Sequence, residues 1–102
     1  MVIVAGHLIV DPGARAAYLE GCVPIVEQAR RTAGCLEFSL APDPVDPSRV
    51  NVLERWESRI ALDRFRGEGP DDDQRAALRS VDIADYEVDW PVAYPEGRGT
   101  AR

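Results

Sequence analysis

Apolar residues dominate the first ten positions of the chain, and between residues 2 and 10 they occupy both alternating sets of positions. A run of this length is typical of a β-strand that is covered on both faces. Asp-Pro-Gly at 11–13 predicts the end of that strand and the start of a helix. A sheet with helices on one side only would leave one apolar set in water, so the strand also predicts a second protein surface on its other face.

An amphipathic helix is predicted over residues 14–33, where apolar residues recur every three or four positions. Its predicted apolar stripe consists of Ala16, Leu19, Val23, Val26, Ala29 and Ala33. Pro24 lies inside this segment. Because a proline in a helix interior costs about 3 kcal/mol, we expect a kink or a break near residues 20–24.

Two further strands are predicted over residues 35–41 and 49–57, where side chains alternate with a period of two. A proline-rich connection joins them. The third strand of the chain places four residues on one face, namely Val50, Val52, Glu54 and Trp56. Ser58 follows as a suitable N-cap for a short helix.

The last elements are a short helix near the sequence PDDDQRAALRS and a strand over residues 81–90. In that strand Tyr86 is predicted on the inward face with Val88 and Trp90, and Asp85 on the outward face. Residues 91–102 are rich in turn formers and predict a tail beyond a single domain of residues 1–90.

The predicted order β-α-β-β-α-(α)-β favours a ferredoxin-like α+β fold, a four-stranded antiparallel sheet with helices on one face. The two-sided first strand then predicts a homodimer in which two sheets face each other.

Composition narrows the classes of partner. The net charge of −6 argues against nucleic acid, which requires a basic surface. No apolar run approaches the roughly 20 residues that span a membrane. Cys22 and Cys35 without a signal sequence favour a reducing, cytoplasmic location, and one histidine without a CxxC motif makes a metal site unexpected.

Three stretches of the chain resemble the antibiotic biosynthesis monooxygenase family: the opening strand ending in VDPG, the sequence GCLEFSL, and LERWES entering the second helix. The resemblance covers about residues 2–90. It implies a dimeric α+β barrel with one pocket per subunit between sheet and helices. Members of the family oxidise phenols, quinols or anthrones with O₂ and without metal or flavin, so no cofactor is expected, and others degrade haem.

Two positions depart from characterised members of this family. The strand tryptophan matches Trp56, but the asparagine that anthrone oxygenases keep four residues earlier is Val52 here. Haem-degrading members keep a histidine where Phe65 and Arg66 stand. The resemblance therefore implies a cofactor-independent monooxygenase acting on a quinol, phenol or anthrone-like aromatic, with haem degradation as the least favoured activity. The alternative is a non-catalytic dimer that binds a hydrophobic metabolite.

Three residues are candidates for the acid–base chemistry that such a reaction needs. His7 is the single histidine and imidazole is a common general base, Glu54 shares a face with apolar residues, and the Tyr86 hydroxyl could orient a substrate oxygen. Two of them have an alternative interpretation: His7 as a core histidine or one that lines the dimer barrel, and Glu54 as the partner of Arg64 or Arg66 in an ion pair. The predicted substrate pocket consists of Phe38, Val52, Trp56 and Phe65, which could equally be ordinary core.

Overall fold

A computed structural model of the chain describes residues 1–67 and 76–89. A short 3-10 turn at Pro12–Ala14 separates the first strand from the first helix. The regular elements are, in order, β1 (Val2–Val10), α1 (Arg15–Arg31), β2 (Cys35–Pro42), β3 (Arg49–Trp56), α2 (Arg59–Arg66) and β4 (Leu78–Glu87).

The four strands form one antiparallel sheet in the order β2-β3-β1-β4, which confirms the predicted ferredoxin-like α+β fold. Both helices pack on the same face of this sheet, here called the inner face. Their buried side chains contact β1, β2 and β3 in two apolar clusters. The opposite, outer face carries the odd-numbered residues of β1.

The helix α1 is continuous from Arg15 to Arg31 with Pro24 inside it, so the predicted break is wrong. A proline removes one intrahelical hydrogen bond, and the helix is held to the sheet on both sides of that position by buried Cys22 and Ala29. The buried face of α1 also differs from the predicted stripe, because Val23 is half exposed while Tyr18 is buried. Relative to the predicted stripe, the buried face of α1 is displaced by about one residue around the helix axis, and this brings a tyrosine and a cysteine over the sheet.

Arg15 fixes the start of α1 against the connection between β2 and β3. Its Nη1 donates to the backbone carbonyl oxygens of Asp43, Asp46 and Arg49 at 3.2, 2.8 and 3.3 Å. In the same connection, backbone N–H groups and Asn51 donate to the Asp43 side chain and lower its pKa to about 2. The proline-rich connection is therefore an ordered anchor for the helix.

Glycine is required where β1 passes β4. Gly6 has a φ of +151°, and a Cβ at this position would lie 2.0 Å from the carbonyl oxygen of Asp82. The two backbones therefore approach more closely here than any other residue would allow.

The faces of β4 are the reverse of those predicted. Asp85 pairs in register with buried Val4, so its side chain lies on the inner face, whereas Tyr86 pairs with Ile3 and is exposed on the outer face. The prediction assigned the apolar residue inward. The structure differs from the prediction because two arginines of α2 neutralise the aspartate on the helix side of the sheet.

Residues 78–80, predicted as helix, begin β4. The predicted helix start at 70–75, Trp90 and the predicted tail at 91–102 lie outside the described residues.

Candidate functional site

A cavity of about 450 Å³ lies between the inner face of the sheet, α1 and the end of α2. Its walls are mostly apolar. The lining residues are Leu8, Tyr18, Gly21, Cys22, Pro24, Ile25, Gln28, Phe38, Leu40, Val52, Glu54, Phe65, Arg66 and Ile83. This volume and character are typical of a site for a small, largely apolar ligand.

Trp56 orients Glu54, the one carboxylate among the lining residues that the structure describes. The indole Nε1–H donates to Glu54 Oε1 at 2.9 Å. The two residues are separated by one residue in β3 and therefore lie on the same face, about 7 Å apart along the strand. The indole and glutamate side chains together are long enough to bridge this distance. Trp56 is completely buried, so packing fixes its ring and the ring in turn fixes the carboxylate.

Burial raises the pKa of the Glu54 carboxyl above its ordinary value. The Trp56 hydrogen bond and the positive charge of Arg66 oppose this rise, and the negative charge of Asp85 adds to it. A carboxyl with a raised pKa in an apolar cavity is a stronger proton acceptor than an exposed one. Glu54 is therefore suited to act as a general base.

Arg66 is the one cation among the described lining residues, and Asp85 holds it in place. Its Nη1 and Nη2 donate to the two carboxylate oxygens of Asp85 at 2.7 and 2.6 Å. Arg59 donates to the same carboxylate at 2.8 Å. Hydrogen bonds from the two arginines depress the pKa of Asp85 well below its usual range, so this aspartate remains ionised.

The ion pair expected between Glu54 and an arginine of the second helix does not form among the described residues. Arg66 pairs with Asp85 instead, and the hydrogen-bond donor to Glu54 is Trp56. The glutamate therefore remains at the cavity wall.

Three polar side chains of α1 line the cavity and are absent from the sequence prediction, those of Tyr18, Cys22 and Gln28. The Tyr18 hydroxyl and the Cys22 thiol share a hydrogen bond, and burial, reinforced by Cys22, raises the pKa of the tyrosine. Both residues line the cavity. Their spacing of four residues places the two side chains on one helix face, and this spacing is the signal in the sequence that indicates the pair.

Three of the four predicted pocket residues line the cavity, namely Phe38, Val52 and Phe65. Phe38 and Phe65 meet edge to face, with ring centroids 5.6 Å apart. The fourth residue, Trp56, lies behind the wall and packs against Phe65 with centroids 5.1 Å apart. Its contribution at the cavity is the hydrogen bond to Glu54.

The predicted acid–base trio is divided between the two faces of the sheet. Glu54 pairs with buried Val4 and lies on the inner face, whereas His7 and Tyr86 lie on the outer face. Within one chain the sheet separates both of these residues from a ligand bound in the cavity. Of the trio, only Glu54 belongs to this site.

Neither a metal site nor a membrane span is found in the described part of the chain. Among residues 1–67 and 76–89, no group of three or more His, Cys, Asp and Glu side chains could hold a metal ion. None of the helices in those same ranges is long and apolar enough to cross a bilayer.

The chain matches the antibiotic biosynthesis monooxygenase family over residues 1–78 and belongs to it. The structure of Rv0793 from Mycobacterium tuberculosis is similar, with a TM-score of 0.74, 27% identity, and coverage of 90% of this chain and 98% of that one. A Deinococcus radiodurans structure shares the fold, with a TM-score of 0.79, 21% identity, and coverage of 93% and 99%.

A curated relative extends the comparison to a longer protein. The uncharacterized protein sll1783 of Synechocystis sp. is 27% identical over 62 residues, which is 61% of this chain. The match spans 42% of that relative's length.

Proposed function

We propose that this protein is a cofactor-independent monooxygenase that oxidises a hydroxylated aromatic, such as a quinol, a phenol or an anthrone-like compound, with O₂. Family membership supports a monooxygenase-type activity. The observation that carries the proposal is one carboxylate, oriented by a buried indole, at the wall of an otherwise largely apolar cavity.

The proposed reaction begins when the substrate hydroxyl transfers its proton to the Glu54 oxygen that does not accept the indole hydrogen bond. The substrate anion then gives one electron to O₂, and the resulting radical and superoxide combine to form a C–O bond. The peroxide anion takes the proton back from Glu54, and loss of water from the resulting hydroperoxide leaves a quinone, so that one phenol and one O₂ yield one quinone and one water. Apolar walls favour this sequence because they limit the access of water to the radical pair.

Oxygen uptake with menadiol or an anthrone, corrected for autoxidation, tests the proposal. We expect Glu54→Gln to lower the enzymatic rate by about 100-fold or more, because general-base catalysis contributes about 10²–10⁴-fold. Glu57→Gln is the matched control, since Glu57 is exposed just beyond the end of β3. An unchanged rate in Glu54→Gln would refute the assignment of the base.

Two other outcomes would redirect the proposal. Ligand-induced thermal stabilisation without oxygen uptake would favour the non-catalytic binder. A rate lost in His7→Ala but retained in Glu54→Gln would place the reaction on the outer face of the sheet.

A further inference from the structure

The proposed function leaves open what balances the negative charge once the substrate has lost its proton. The cavity wall carries one carboxylate, Glu54, and one guanidinium, Arg66, among the described residues. Val4 of β1 pairs with Glu54 on one side and with Asp85, the partner of Arg66, on the other. The two carboxylates are thus separated at the backbone by two strand spacings, roughly 10 Å.

Asp85 fixes the Arg66 guanidinium but accepts only some of its N–H donors. Asp85 accepts two N–H groups of Arg66 in a bidentate pair at 2.7 and 2.6 Å. An arginine carries five such donors in a rigid plane. The carboxylate therefore fixes the plane of the guanidinium at the cavity wall, and further donors belong to the same group.

We propose that Arg66 stabilises the oxygen anion of a bound hydroxylated aromatic after Glu54 has accepted its proton, and that the site selects neutral hydroxylated ligands over aryl carboxylates. This inference rests on the proposed function and names the ligand class of the same cavity. Glu54 and Arg66 are the groups that contact the ligand, and Asp85 is a positioning residue.

The charges explain this selectivity. A neutral phenol enters a cavity that holds one negative and one positive lining group. Proton transfer to Glu54 moves the negative charge from the glutamate to the phenol oxygen, so the net charge of the cavity is unchanged. An aryl carboxylate would instead bring a second negative charge beside Glu54, with a single cation to balance two anions, which is costly in an apolar environment.

Binding of 4-nitrophenol tests the inference without turnover, because its anion absorbs in the visible. The fraction ionised is measured against pH with protein in excess, after binding has been established by equilibrium dialysis. We expect Arg66→Gln to raise the pKa of the bound phenol by about one unit relative to wild type, at the low end of the 1–3 units that a nearby opposite charge causes, because the Arg66 side chain is 43% exposed and solvent screens its charge.

Matched variants separate the effect of the Arg66 charge at the cavity from the effect of removing any positive charge from the protein. Arg64→Gln removes the same charge from a position of the same helix that does not line the cavity, and it should leave the bound phenol unchanged. Arg66→Lys keeps the charge without the planar fork and should give a smaller shift than Arg66→Gln. We also expect 4-nitrobenzoate to bind wild type at least about tenfold more weakly than 4-nitrophenol, since like charges disfavour its anionic form.

The outcomes distinguish this inference from the proposed function. Equal shifts in Arg66→Gln and Arg64→Gln with retained binding would overturn the role of Arg66 and leave the oxygenase proposal standing. The expected shift without oxygen uptake would support the binding role and refute the oxygenase. Failure of wild type to bind the phenol would overturn both. Circular dichroism checks the fold of each variant, and Arg66→Lys tests the same role if Arg66→Gln does not fold.

Discussion

Replacement of Trp56 by phenylalanine should reveal how strongly the indole holds the carboxylate. The substitution removes the N–H that donates to Glu54 at 2.9 Å and part of a completely buried ring. Loss of a hydrogen bond to a charged group costs about 1.5–3 kcal/mol, and the lost packing adds about 1 kcal/mol. We therefore expect Trp56→Phe to reduce the free energy of unfolding by about 2.5–4 kcal/mol and the Tm by more than about 10 °C.

The effect of Trp56→Phe should depend on pH. The hydrogen bond lowers the pKa of Glu54, so its removal raises the pKa further and disfavours the ionised form. Chemical denaturation at about pH 8, where a carboxyl is ordinarily ionised, should show a larger loss than at about pH 4.

A double-mutant cycle isolates the hydrogen bond from packing. In a Glu54→Met background the acceptor is absent, so Trp56→Phe should lose only its packing contribution. We expect a coupling energy of about 1.5–3 kcal/mol between the two sites. The same cost for Trp56→Phe in both backgrounds, at both pH values, would refute the idea that the indole supports the carboxylate.

Three further results are expected. Burial raises the folded-state pKa of Glu54, so the stabilising contribution of this carboxyl is present at acid pH and is lost as pH rises through that pKa. Glu54→Gln should therefore gain stability relative to wild type as pH rises, by about 1.4 kcal/mol per unit of pKa elevation. A pH-independent difference in denaturation between the two proteins would contradict this. Gly6→Ala places a Cβ 2.0 Å from the Asp82 carbonyl oxygen and should lower the unfolding free energy by more than about 2 kcal/mol. In the control Gly13→Ala, the nearest contact of the new Cβ is 3.4 Å away, so the unfolding free energy should change by less than about 0.5 kcal/mol. Similar denaturation midpoints for the two variants would refute the steric argument. Sedimentation should show a homodimer, because the outer face carries half-buried Ile3 and Ile9 of β1 beside exposed Leu53 and Tyr86, and a well-folded monomer at micromolar concentration would contradict it.

The sequence by itself determined the order of the elements and the faces of β3, whereas both alternating sets of β1 are apolar and leave its faces open. In β3, Val50, Val52 and Trp56 are buried on the inner face, as alternation predicts. Apolar periodicity suffices there because central strands are covered by the rest of the fold. The placement of Glu54 on that face follows from the same alternation.

Only the tertiary structure decided the faces of β4 and the rotation of α1. Asp85 lies inward because Arg59 and Arg66 of another element meet it there, and local alternation contains no information about those partners. Tyr18 lies inward because the helix as a whole is placed by its contacts with the sheet and by Arg15. The candidate base was thus visible in the sequence, whereas the cation beside it and the separation of His7 and Tyr86 from the cavity depended on contacts between distant segments.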